Sequence, residues 1–371
     1  MVRFGLALVT LLVAAAVAAA GTLIVLPPFG WVDWTLRTAA TEFSLILLLP
    51  ILLALLLAWF SGWARMPRIG LVAAILAALA IPLALLPAVR GGIEAYDRGI
   101  GIDPWEYLSG TGLDIALGSD ETVTYGPAGP AESGRQADSG AADRELVVWR
   151  PDRESDPGRQ LPAVINVHDG SGFDRWNRWF TDRGMIAFEL VMDSSDGSSG
   201  SELRPDEVKC AADWVSANAT ELGVDPDRIM LFGTGTGGQL VMLAGYADGA
   251  ELPSACPRPD HSVEPGAAGD ETGFAAVLTL YPRSEHPDRA AEPFRYLDRH
   301  DPPTLLAHGG RDPVIPAAQS RRTAAELDVA GVPGRLVEID YAGHGFDLNW
   351  GGFAGQISRA EIERFLDARV R

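Results

Sequence analysis

Four short strings hold the side chains and turns that could do chemistry: HDGSG at 168–172, GTGTGG at 233–238, GGRDP at 309–313 and YAGHGFD at 341–347. The last two supply Asp312 and His344, a carboxylate and an imidazole of the kind that handles protons in acyl transfer. The first two are Gly-rich turns. In HDGSG, backbone N–H groups such as those of Gly170 and Ser171 could face a developing oxyanion. GTGTGG lies between a strand expected at 228–232 and a helix expected at 238–246, which is the context of a nucleophile elbow, and an Asp then a His downstream of it is a hydrolase order. The string also fits GxGxxG, but it lacks the Lys-Ser/Thr of a phosphate loop. It does not open the first βαβ unit, and the following strand ends in Tyr281 and Pro282 rather than an acid, so a dinucleotide site does not fit. Taken singly, Asp312 or Asp169 reads as a turn or capping residue and His344 as a surface loop histidine; their order at successive strand ends argues for a common site.

These strings need a frame that brings strand ends together. Strands are expected at 122–125, 145–149, 163–168, 185–192, 228–232, 275–281, 304–307 and 335–339. Helices are expected at 205–222, 238–246, 288–299, 317–330 and from about 356. Alternation of this kind implies a mostly parallel sheet with helices on both faces, whose function collects at the carboxyl ends of the strands. The expected division is a module at 1–90, a connection with the first strand at 91–143, and the α/β domain at 144–371.

The first module is apolar. Runs at 4–26, 43–60 and 69–89 contain no charged side chain, and each is long enough for a helix to cross about 30 Å of hydrocarbon. Pro50 and Pro82 fall inside runs, which membrane helices tolerate, and Trp31, Trp34, Trp59 and Trp63 fall at their boundaries. The small residues at 14–20 would also suit cleavage of the first run as a signal peptide; the other two would still anchor the chain. Arg3, Arg65 and Arg68 flank the runs on one side, while the loop between the first two carries Asp33, Arg37 and Glu42. The N-terminus is therefore expected inside, and three spans place the later domain outside the cytoplasm, making this a multi-pass protein of the cell membrane.

Residues 1–90 hold five Arg and two acids, so the net charge of −19 is concentrated in the later domain. Such a domain is expected to avoid nucleic acid and anionic surfaces. Cys210 and Cys256, the only two cysteines, suit one disulfide in an oxidising compartment, though spacing leaves open whether they meet. The six histidines show no ligand-like clustering, and the string at 193–197 lacks the glutamate of a calcium loop, so neither metal nor cofactor is expected.

Over about 145–371 the chain resembles the α/β hydrolases of the hormone-sensitive-lipase and feruloyl-esterase-like groups, and carboxylesterases with an N-terminal three-span module. The stretch 225–240, DPDRIMLFGTGTGGQL, is the most specific match. The resemblance implies an α/β-hydrolase fold and a membrane-anchored carboxylic-ester hydrolase acting on an acyl or ester ligand. It implies that Gly170, Ser171 and the Thr236 backbone line an oxyanion hole, and that Asp312 and His344 complete a triad. Two departures stand out. The family's nucleophilic serine is here Gly235, which has no atom to attack an acyl carbon, and Asp169 replaces a glycine of the family's HGGG. The expectation is a catalytically impaired protein or pseudoenzyme. The alternatives are an active hydrolase with an unconventional nucleophile, Thr234, Thr236 or Ser171, and a scaffold or sensor whose membrane bundle does the work.

Overall fold

The computed structural model describes residues 2–26, 31–110, 121–126, 144–152, 159–168, 174–191, 205–248 and 273–369. Packing divides the chain into two compact units. Unit 1 comprises Met1–Leu113 with His308–Ala317 and Glu338–Glu361; unit 2 comprises Asp114–Ala307, Ala318–Val337 and Ile362–Arg371. Because packing rather than chain order defines it, unit 1 takes in the segments holding Asp312 and His344 along with the apolar N-terminal helices.

In unit 1 the helices are α1 (Val2–Val25), α2 (Trp31–Glu42), α3 (Leu48–Trp63), α4 (Pro67–Asp97) and α5 (Pro104–Ser109). Three helical segments, Arg3–Val25, Ser44–Trp63 and Pro67–Asp97, are long and apolar enough to cross a membrane. Their association uses small residues: Ala73, Ala77, Ala80 and Ala84 of α4 form one buried stripe against Ala54 and Ala58 of α3 and Ala14 of α1. A Cβ at Gly70 would come within 2.5 Å of the Ala58 carbonyl, so this crossing is too close for any side chain. Thr10 and Ser61 share a buried hydrogen bond of 2.9 Å between α1 and α3.

Two sequence expectations change here. The segment between the first two apolar runs, read as loop, holds the twelve-residue helix α2. Its threonines, acids and tryptophans dilute the apolar signal, and its periodicity shows only once there is a surface to pack against. The third run continues as helix past residue 89 to Asp97, and a further short helix, α5, starts at Pro104 with Asp103 as its N-cap.

Unit 2 is built on a sheet of eight strands: β1 (Glu121–Gly126), β2 (Arg144–Trp149), β3 (Leu161–His168), β4 (Ile186–Val191), β5 (Val224–Thr234), β6 (Ala276–Leu280), β7 (Thr304–Gly309) and β8 (Gly334–Ile339). Their order is β1-β2-β4-β3-β5-β6-β7-β8. The β1–β2 and β2–β4 pairs are antiparallel, and the pairs from β4 through β3, β5 and β6 to β7 are parallel. The central strands are apolar at nearly every position, as strands buried on both faces must be. Leu231 packs with α7 (Pro205–Ala217) and α9 (Gly235–Tyr246). Its neighbour Phe232 points to the opposite face and meets Trp176 and Phe180 of α6 (Asp174–Thr181) at ring distances of 4.9 and 5.3 Å. Both faces are thus covered by helices, as expected.

The helix expected at 288–299 is instead two single 3₁₀ turns, Arg289–Ala291 and Pro293–Arg295. Pro293 has no N–H to continue a helix and restricts Glu292 before it, which is held in an extended conformation. The helix expected at 205–222 divides at Asn218 into α7 and α8 (Ala219–Leu222), closed by Gly223 at φ +73°. The last two helices are α10 (Ala318–Ala330) and α11 (Phe353–Arg369).

Candidate functional site

In unit 2, β5 delivers the chain into a sharp turn. Thr234 is extended, Gly235 has φ +53°, and α9 begins at once. Close approach demands glycine at 237, where a Cβ would overlap the Val167 carbonyl of β3. Position 235 differs: a Cβ there would meet nothing nearer than the Tyr281 ring at 3.9 Å. The constraint at 235 is backbone conformation and not space, which is the local signature of an elbow that presents one side chain into an open site. The Gly235 carbonyl accepts from Arg283 N–H at 3.0 Å, fixing the turn. Thr234 is almost fully buried, whereas Thr236 in the first turn of α9 is half-buried.

His168 closes β3. It is buried, and its Nε2 lies 2.8 Å from Glu189 Oε1. The same carboxylate accepts from Trp149 Nε1 at 3.0 Å and Asn177 Nδ2 at 2.8 Å, while Asn166 Nδ2 donates to Asn177 Oδ1. Burial opposes the charge on Glu189, but the hydrogen bonds from His168, Trp149 and Asn177 outweigh it and lower its pKa below the ordinary carboxylate value. This network anchors the end of β3, where the HDGSG string begins. Gly170 and Ser171 lie outside the described residues, as does Asp169.

In unit 1, His344 Nδ1 lies 2.8 Å from Asp312 Oδ2. The carboxylate also accepts the N–H groups of Val314 and Ile315, both at 2.8 Å through Oδ1. His308 Nε2 is 2.9 Å from the Ile315 carbonyl and 3.4 Å from Asp312 Oδ2; both are acceptors, so this nitrogen carries the proton. Burial opposes the Asp312 charge, yet hydrogen bonds from His308, His344 and Ile315 prevail and hold its pKa at about 2. An ionised Asp312 accepts a hydrogen bond from Nδ1–H of His344, which favours the tautomer with its lone pair on Nε2 that a general base requires.

The loop bearing His344 is held by α2. Thr38 Oγ1 donates to the His344 carbonyl at 3.4 Å, and Gly343 N–H donates to the Glu42 carboxylate. The Glu42 backbone carbonyl accepts from Tyr107 Oη at 3.1 Å and Asn349 Nδ2 at 2.6 Å. Glu42 is buried, and burial drives its pKa up to about 8; the Gly343 N–H opposes that rise and Asp347 adds to it.

The structure places Asp312 and His344 within hydrogen-bond distance of each other and Gly235 and Thr236 at the turn from β5 into α9. Sequence reasoning missed His308, Glu42, Thr38 and Glu189. One of them carried a signal: Glu189, like Asn166, is a polar residue in an otherwise apolar central strand, and a buried polar group requires a partner. Cys210 is disulfide-bonded, and Cys256 lies outside the described residues. Among the described residues, no group of three or more His, Cys, Asp or Glu side chains is placed to hold a metal ion.

Comparison with known proteins places this arrangement. Residues 203–288 match the BD-FAE family model. Esterase LipQ of Mycobacterium tuberculosis is 28% identical over 247 residues, 56% of each chain. Esterase LipC of the same organism is 30% identical over 196 residues, 43% of this chain and 45% of that protein. The chain thus spans about half the length of these relatives. A thermophilic esterase from Thermogutta terrifontis, Est2, superposes with a TM-score of 0.52 at 22% identity, over 67% of this chain and 91% of the other. Its paraoxon-phosphorylated form gives 0.53 at 24% identity, over 69% and 97%. The fold is that of the α/β hydrolases.

Proposed function

We propose that the chain is a membrane-anchored member of the carboxylesterase- and lipase-like α/β hydrolases whose ester-hydrolysing chemistry is impaired by loss of the nucleophile. The observation that carries this reading is Gly235, at φ +53° on the turn from β5 into α9, in a chain that keeps the Asp312–His344 pair. By the order of motifs along the chain, position 235 is where a serine would attack an acyl carbon. His344 would accept the serine proton through Nε2, with Asp312 stabilising the imidazolium. With glycine no covalent acyl intermediate can form there. What remains is binding and polarisation of an acyl or ester ligand, with HDGSG and the Thr236 N–H as donors. Triad hydrolases lacking a member retain only about 10³ to 10⁴ over water, which supports a binding role more than a metabolic one.

The three apolar helices support membrane anchoring, and the distribution of Arg3, Arg65 and Arg68 supports a location of the α/β domain outside the cytoplasm. A disulfide at Cys210 suits an oxidising compartment.

The test is turnover. The full chain in detergent should hydrolyse short-chain p-nitrophenyl esters barely above background, and Gly235→Ser should raise the rate by about 10²-fold or more. Ordinary esterase rates from the unaltered chain would reject the reading in favour of another nucleophile, with half-buried Thr236 the first to examine.

A further inference from the structure

Unit 1 contains a cavity of about 330 Å³ lined by Asp312 but not by His344. One wall is Ile24, Val25 and Leu26, the end of the first candidate span; the other is Arg37, Thr38 and Thr41 of α2 with Arg311, Asp312, Pro313 and Gly343. Its volume falls within the roughly 300 to 1,000 Å³ of small-molecule pockets. The two walls differ in chemistry: one is aliphatic, and the other is lined by two arginines and two threonines.

The guanidiniums are fixed in place. Arg37 Nη1 donates to the Leu23 carbonyl at 2.9 Å and also to that of Leu26, and Arg311 Nη1 donates to the Ile24 carbonyl at 2.6 Å, with its guanidinium 3.9 Å over the Tyr341 ring. They thereby satisfy carbonyls at the C-terminal end of α1 and bring two positive charges beside its last apolar residues. The one acid in the wall, Asp312, directs its carboxylate to His308, His344 and two backbone N–H groups.

We propose that this cavity binds an acyl lipid, its chain against Ile24–Leu26 and its anionic head on Arg37 and Arg311. A hydrocarbon would leave the guanidiniums facing an apolar ligand, and a sugar or peptide would waste the aliphatic wall; an amphiphile with an oxyanion matches both. The overall negative charge does not forbid this, because screening at physiological salt limits long-range repulsion to about 8 Å. The location rests on the reading of α1 as a membrane span, which sets Ile24–Leu26 at the polar boundary of the bilayer. A fatty-acid carboxylate and an anionic phospholipid share the required chemistry.

The experiment is photolabelling of the full chain in phosphatidylcholine nanodiscs. One arm uses a diazirine-bearing palmitate and the other a diazirine-bearing phosphatidylglycerol, with adducts mapped by mass spectrometry. Labelling of Ile24–Leu26, Thr38 or Arg311–Pro313, displaced by unlabelled palmitate or phosphatidylglycerol, is the expected result, and the arm that labels identifies the source. Val25→Trp, which fills the cavity, and Arg311→Gln, which removes one charge, should each lower that labelling by about fivefold. Labelling of exposed Leu49, Leu52 and Leu56 should stay constant as an internal reference for a folded bundle. No enrichment over those leucines from either probe, or enrichment unmoved by both variants, would overturn the proposal. The readout is occupancy, so its failure is separate from failure of the Gly235→Ser test.

Discussion

Position 235 concentrates the account in one residue. Serine there would adopt φ near +53°, a conformation costing a residue with a Cβ about 1 to 3 kcal/mol, while its Cβ would make only ordinary van der Waals contact with the Tyr281 ring, 3.9 Å away. Gly235→Ser should therefore lower the thermal midpoint while it restores turnover; a variant that is both stabilised and inactive would contradict this description of the turn. Asp312 makes a second prediction. Its pKa is depressed from 3.8 to about 2, so its contribution to stability is fully present above about pH 4 and lost as pH falls through 2. Replacing it with alanine should cost roughly 2 to 3 kcal/mol at pH 7. Denaturant titrations of both forms at pH 7 and pH 2.5 check this: the gap should narrow at the lower pH. Asp312→Asn in the Gly235→Ser background should also reduce kcat by about 10⁴-fold, since an amide no longer enforces the His344 tautomer.

At the scale of elements, α2 is the piece that ties the N-terminal module to the His344 loop. Glu42 is raised from 4.5 to about 8, so between those values the folded protein retains a proton that the unfolded chain has released. Stability should fall as pH rises through that window and level off above it. Glu42→Gln, which still accepts from Gly343 N–H, should flatten the slope in melts from pH 5 to pH 9; an unchanged slope would assign it to other groups. The same helix marks the limit of what the sequence made legible. Strands such as 163–168 and 228–232 declare themselves because burial on both faces demands an unbroken apolar run. Asp312 and His344 are readable because their order at strand ends is unusual. Trp31–Glu42 has neither signal, and Glu42 gains its partner Gly343 from a segment some three hundred residues later, a pairing only tertiary structure supplies. The false helix at 288–299 has the opposite cause: its composition favours helix, but Pro293 interrupts it.

For the whole molecule, the three apolar helices and the bonded Cys210 lead to one topological expectation. A periplasmic-type alkaline phosphatase reporter fused after the last helix should be active, and a thiol reagent applied without reductant should leave both cysteines unmodified in the unfolded chain. An inactive reporter would place the α/β domain in the cytoplasm. The close crossing at Gly70 supplies a test of the bundle: Gly70→Leu must push α4 away from the Ala58 carbonyl and should separate α3 from α4, reducing the yield of folded protein in detergent.

Covalent labelling addresses the central claim most directly. The full chain and its Gly235→Ser variant are treated with a fluorophosphonate, and each adduct is located by mass spectrometry. An unmodified natural chain and a single adduct on the variant at position 235 are the expected result. An adduct on the natural chain at Thr234, Thr236 or Ser171 would contradict it, because the protein would then hold a working nucleophile.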